Sequence, residues 1–159
     1  MMLVWLFASS VVGSTAHAQI EQEQAGQNQI KHSAKAPVSS ADWHARKGMF
    51  FKRNWGVEVI GVHPVSSGYM LDFRYRIVDP VKARPLNDMK GKAYLVDEAT
   101  GTRLAVPAME NVGELRSGTE PKADRTYFMI FGNPGRLVKP GSRVSVVIGN
   151  FRVDELVVN

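Results

Sequence analysis

The stretch YMLDFRYRIV, Tyr69 to Val78, sets the fold class. Tyr69, Leu71, Phe73, Tyr75 and Ile77 alternate with Met70, Asp72, Arg74 and Arg76. A period of two is that of a β-strand, whose successive side chains point to opposite faces. Five large apolar groups on one side predict a strand that covers a core and meets water on its other face. Asp79-Pro80 is expected to end it, because proline cannot donate to a sheet ladder.

Working outward, short apolar runs alternate with turn residues on both sides of this stretch. Trp55 to Val62 (WGVEVIGV) reads as a strand closed by His63-Pro64. Lys92 to Val96 and Arg103 to Val106 flank the turn-rich Asp97 to Thr102 and predict a hairpin. A long polar connection runs from Pro107 to Asp124. Arg125 to Phe131 (RTYFMIF) is apolar on both faces, which predicts a central strand. Asn133-Pro134-Gly135 stops it, and Pro140-Gly141 opens Arg143 to Ile148. Gly149-Asn150 then turns the chain into Phe151 to Val158. These are seven candidate strands, with no amphipathic helix between them. Over ~110 residues, enough to bury a core without staples, they suit an all-β, immunoglobulin-like antiparallel sandwich. A small barrel is the competing architecture.

The first 18 residues, MMLVWLFASSVVGSTAHA, differ in kind. Leu3 to Phe7 and Val11-Val12 are apolar but shorter than the ~20 residues that span a bilayer. Ala16-His17-Ala18 before Gln19 has the small-x-small form of a cleavage site. The segment is therefore expected to be a signal peptide, although it carries no Lys or Arg. Residues 19–47, rich in Gln, Ala, Ser, Lys and Asn, bury too little apolar surface to offset the entropy of ordering and read as a flexible polar tail. The sandwich is expected from 48 to 159. The mature chain would lie in the periplasm or be secreted, with no membrane span.

The segments Ser67 to Ala83 (SGYMLDFRYRIVDPVKA) and Thr126 to Gly141 (TYFMIFGNPGRLVKPG) resemble a functionally uncharacterised family of small secreted Gram-negative bacterial β-sandwich proteins. The resemblance implies export and the extent of the domain. It implies no catalytic or binding residue.

There is no cysteine, which excludes thiolate catalysis, zinc–thiolate sites, c-type haem attachment and lipidation at a cysteine. The formal charge of +5 favours anionic surroundings. Lys and Arg nevertheless alternate with Asp and Glu, without the like-charge runs of a nucleic-acid binder. No G-x-S-x-G or H-E-x-x-H appears. Asp97-Glu98 are adjacent, so on a strand they point to opposite faces and do not form a carboxylate pair for glycoside cleavage. Gly132 to Gly135 and Lys139 to Gly141 are glycine-bearing loops that match no phosphate-binding pattern and read as turns. No cofactor is implied.

Two candidate sites remain. Arg74 and Arg76 would share the outward face of one strand, with Asp72 two residues earlier, and could hold carboxylates or phosphates of a partner. Simple cross-strand ion pairing is the plainer reading. His44 and Met49 are the closest pair of soft ligands, and an exported chain with Met and His but no Cys would suit cuprous copper. The expected function is a non-catalytic periplasmic interaction module that binds another envelope protein or an anionic surface. A copper-handling protein and a small hydrolase with an unrecognised site are the alternatives.

Overall fold

The computed structural model describes residues 39–159, so the expected signal peptide (1–18) and the tail to residue 38 lie outside the described residues. The fold is mostly β. Among the described residues, nine strands lie in three antiparallel sheets, accompanied by two α-helices that the sequence pattern did not reveal.

The first described element is a helix, α1 (Ser40–Trp55), so residues 40–47, expected in the polar tail, are helical. Its start is encoded by a capping box. The Ser39 hydroxyl accepts from the Asp42 amide at 3.1 Å, and the Asp42 carboxylate accepts from the Ser39 amide at 3.3 Å. Its end is encoded by Gly56 at φ 62°, whose amide donates to the Phe51 carbonyl. A side chain at 56 would also collide with the Asp79 carbonyl, 2.5 Å from where its Cβ would stand. The Gly56 carbonyl accepts from the amides of Val78 and Asp79, so helix end and sheet end are fastened at one glycine. α1 buries Trp43 and Phe51, eight residues and so about two turns apart.

Strands β1 (Val57–Val65), β2 (Met70–Ile77) and β7 (Thr126–Gly132) form one sheet in the order β1-β2-β7. In β2, Leu71, Phe73, Tyr75 and Ile77 are fully buried, as the alternation predicts. Each contributes roughly 1.5–3 kcal/mol of apolar burial. Tyr69 is a correction: the strand starts one residue later, and the Tyr69 ring is 55% exposed. β1 carries one extra residue, Ile60, between its pairings Val59↔Tyr75 and Gly61↔Arg74. This bulge moves the buried positions from Val57 and Val59 to Val62, which keeps both halves of the strand facing the core.

The strand expected to be central, β7, is instead the last in its sheet, with Tyr127, Met129 and Phe131 inward and Phe128 outward. Residues 115–117 cover its free edge. The Ile130 amide donates to the Leu115 carbonyl, and the Ser117 amide donates to the Phe128 carbonyl. The connection before β7, expected as a long polar link from Pro107 to Asp124, contains the short pair β5 (Ala108–Met109) and β6 (Gly113–Glu114).

The second sheet, in the order β4-β3-β8-β9, holds β3 (Ala93–Asp97), β4 (Arg103–Ala105), β8 (Arg143–Ile148) and β9 (Phe151–Val157). The predicted hairpin is β3 with β4. β9 has its own bulge at Asp154 and Glu155, with Glu155 at φ 60°. Its buried positions accordingly shift from Phe151 and Val153 to Leu156 and Val158. The two sheets share one core, and they meet where Val62 bridges Val158 and the Asn159 amide donates to the Val62 carbonyl. Between β2 and β3, Asp79 accepts from the amides of Val81 and Lys82, and Pro80 occupies the first turn of α2 (Pro80–Asn87). The Asp-Pro that ends the strand also starts a helix.

Two carboxylates, Asp42 in the cap of α1 and Glu58 pairing β1 with α1, give a pH dependence. The Ser39 hydroxyl and amide hold Asp42 below its usual 3.8, and Lys52, with Arg76, holds Glu58 below 4.5. Carboxyls lowered by folding stabilise the native state at neutral pH and lose that contribution as they are protonated. Stability should therefore decline as pH falls from about 5 to 2. Urea denaturation across that range should show a shallower decline for Glu58→Gln; equal slopes would remove Glu58 from the account.

Candidate functional site

A well-formed concavity lies where the β1–β2 and β7–β8 connections meet. It is a cleft of about 530 Å³ lined by Pro64, Ser67, Gly68, Arg136, Val138 and Lys139, with Gly135 and Pro140. Its two walls come from segments some seventy residues apart in the chain.

The first wall is the turn Ser66–Gly68, where Ser66, Ser67 and Gly68 all have positive φ (51°, 56° and 85°). The second begins Pro134–Arg136, where Gly135 and Arg136 do the same (65° and 52°). Left-handed backbone costs a residue with a Cβ about 1 kcal/mol or more, so three such residues persist because the surroundings hold them. Asn133 holds both walls. Fully buried, its amide nitrogen donates to the carbonyls of Gly68 and Val138 at 2.8 Å each. Its amide oxygen accepts from the Val138 amide at 3.0 Å, and its own backbone N–H donates to the Tyr69 carbonyl at 2.8 Å. Every polar atom of the side chain serves the junction, apart from one spare lone pair.

Two cations stand at this cleft. The Arg136 guanidinium lies over the Tyr69 ring, 5.5 Å from its centroid, and its stem passes beside Gly68. Lys139 follows three residues later. Neither makes an ion pair among the described residues, and no lining residue carries a carboxylate. Pro64, Val138 and Pro140 supply apolar walls. Ser67 has no His, Asp or Glu beside it in the lining to act as a base. The arrangement is therefore suited to holding an anionic group on an apolar stem, without a nucleophile and base to transform it.

The residues singled out from sequence sit elsewhere. Arg74 and Arg76 do share the outward face of β2, but each already has an acid. The Arg74 Nε meets the Asp72 carboxylate at 2.7 Å, and Arg76 pairs across the strands with Glu58, its register partner. Asp72 is nearly buried, with Oδ1 unpartnered. Of the two pairs, Arg76–Glu58 is cross-strand, whereas Arg74–Asp72 lies along a single strand.

His44 and Met49 do meet, at a small hollow of about 120 Å³ beside Lys52 and Glu58. Both His44 ring nitrogens are turned onto backbone carbonyls, Nδ1 at 2.6 Å from Ser40 and Nε2 at 2.8 Å from Val59. A metal would have to break one of these contacts and sit beside the Lys52 ammonium. Among the described residues, His, Asp and Glu form no cluster of three that could hold a metal ion. Asp97 and Glu98 are absorbed by structure. Asp97 accepts from the Thr100 amide and hydroxyl, while Glu98 Oε1 accepts from the Ser145 hydroxyl and the Glu155 amide at 2.7 Å each.

Comparison with known proteins places no relative beside this geometry: no family model, curated protein or solved structure matches the chain.

Proposed function

We propose that this protein is a non-catalytic periplasmic binding module that takes an acidic segment of another envelope component into the Arg136/Lys139 cleft. One observation carries the reading: two cations without acid partners among the described residues flank a concavity whose walls are fixed by Asn133. Preformed walls reduce the ordering cost of binding, and uncompensated charge supplies attraction and orientation. The Arg74/Arg76 face is the weaker alternative, since a partner there would first have to displace Asp72 and Glu58.

Export rests on the leader pattern of residues 1–18 and on the resemblance to secreted proteins. The immunoglobulin-like reading draws support from strand order. With the β5/β6 pair set aside, the first, second and fifth strands form one sheet, and the fourth, third, sixth and seventh form the other. An immunoglobulin constant domain differs by placing its fourth strand in the first of these sheets.

NMR titration with a glutamate-rich peptide tests the proposal. The amides of Gly68, Gly135 and Lys139 should shift first, and affinity should fall with salt. Arg136→Glu/Lys139→Glu should weaken binding by about a hundredfold, because like charges then face each other. Arg74→Glu/Arg76→Glu should leave it near the original value. Shifts centred on β2 with affinity lost in the second variant, or no binding at low salt, would overturn the assignment.

A further inference from the structure

The exposed side of α1 carries a feature that the cleft does not account for. Arg46, Met49, Phe50 and Arg53 are spaced i, i+3, i+4, i+7, which places them in one stripe on a helix. All four are exposed, Met49 at 56% and Phe50 at 55%. The helix is anchored in the core along the flank beside Phe50, by Trp43 and Phe51. The other two cations of the helix are engaged, Lys47 with Glu155 and Lys52 with Glu58. Arg46 and Arg53 make no ion pair among the described residues. The one acid of the helix, Asp42, lies a turn before Arg46 and spends its carboxylate on the capping box, with Arg46 a minor influence on it.

We propose that this stripe seats the protein on an anionic lipid surface. Two apolar side chains stand between two cations, one turn away on either side. Phe and Met can enter the headgroup boundary while the arginine stems let their charges remain among lipid phosphates. A protein partner fits less well. The stripe spans eight residues, about 10 Å of helix, and the hollow at its edge, beside Met49, holds only about 120 Å³. A stable protein interface covers roughly 800 Å² on each side. The chain's net charge of +5 adds long-range attraction of the same sign.

Co-sedimentation with vesicles decides the matter. The chain beginning at Gln19 is the right material, because its core lies within residues 39–159 and an apolar leader would bind lipid by itself. At low salt the protein should partition onto phosphatidylglycerol vesicles and leave pure phosphatidylcholine vesicles nearly bare. Arg46→Gln/Arg53→Gln should weaken partition about 30-fold. Met49→Ser/Phe50→Ser should weaken it at least about tenfold, and both variants should unfold at the original temperature. Arg136→Gln/Lys139→Gln, which removes the same two charges as the arginine variant of the stripe, should weaken partition by only about threefold, which separates this proposal from the cleft. Partition unaltered in both stripe variants, no partition on the anionic vesicles, or equal partition on neutral ones would overturn it.

Discussion

Trp43→Ala is expected to destabilise the domain by about 5 kcal/mol, most of the stability that a domain of this size typically possesses. Two losses add. The indole is completely buried, stacked on Phe51 with centroids 5.6 Å apart, and removing it opens a cavity between α1 and the second sheet. The indole N–H also donates at 2.8 Å to the Asp154 carbonyl. That carbonyl belongs to the β9 bulge, where the extra residue interrupts the ladder. A bulge placed against a helix needs a donor from that helix, and Trp43 provides it. Trp43→Phe should keep most of the packing yet lose the donor, at a cost of about 2 kcal/mol. Equilibrium urea denaturation measures both. A Trp43→Ala protein within 1 kcal/mol of the original would mean that α1 does not contribute to the cooperative core.

The sequence could reveal the sheets but not the ends of α1. β2 was legible because one face is greasy and the other wet over eight residues, and a single period explains it. α1 spreads its apolar residues over both faces, with Met49 and Phe50 exposed, and its two fully inward ones, Trp43 and Phe51, are eight apart, which leaves the helical period weak. Its clearest local signals are Ser39-x-x-Asp42 and Gly56, a capping box and a left-handed cap, and both look like ordinary polar punctuation unless read together. The same applies to Asp79-Pro80, which stops a strand and caps α2. The bulges at Ile60 and at Asp154-Glu155 break strict alternation, so β1 and β9 read less clearly than β2. Arg74 and Arg76 were correctly placed outward. Their partners Asp72 and Glu58 reflect local spacing in one case and strand register in the other, and register is not written in composition. The cleft was illegible for a different reason. Residues 64–68 and 135–140 become neighbours only when β2 pairs with β7, and two turn sequences then form one site.

The residue that joins those turns provides the second large effect. Asn133→Leu should cost about 4 kcal/mol, although leucine has the same number and branching of side-chain heavy atoms as asparagine. The substitution leaves the carbonyls of Gly68 and Val138 and the amide of Val138 without their partner in a buried place, and each such group costs about 1–3 kcal/mol. Asn133→Asp separates hydrogen bonding from shape. A carboxylate there still accepts from the Val138 amide but turns a second negative oxygen towards two carbonyls. It should be at least as destabilising at neutral pH and recover partly in acid, when one oxygen gains a proton to donate. Asn133→Leu should show no such recovery. Both variants should also weaken peptide binding at the cleft more than their population of unfolded protein explains, because Ser66, Ser67 and Arg136 would be free to leave their left-handed conformations. Denaturation at pH 7 and pH 4, with binding measured on the folded fraction, tests the chain of cause from one amide to two turns to the cleft. If Asn133→Leu folds with full stability and binds as before, the cleft is not held by this junction.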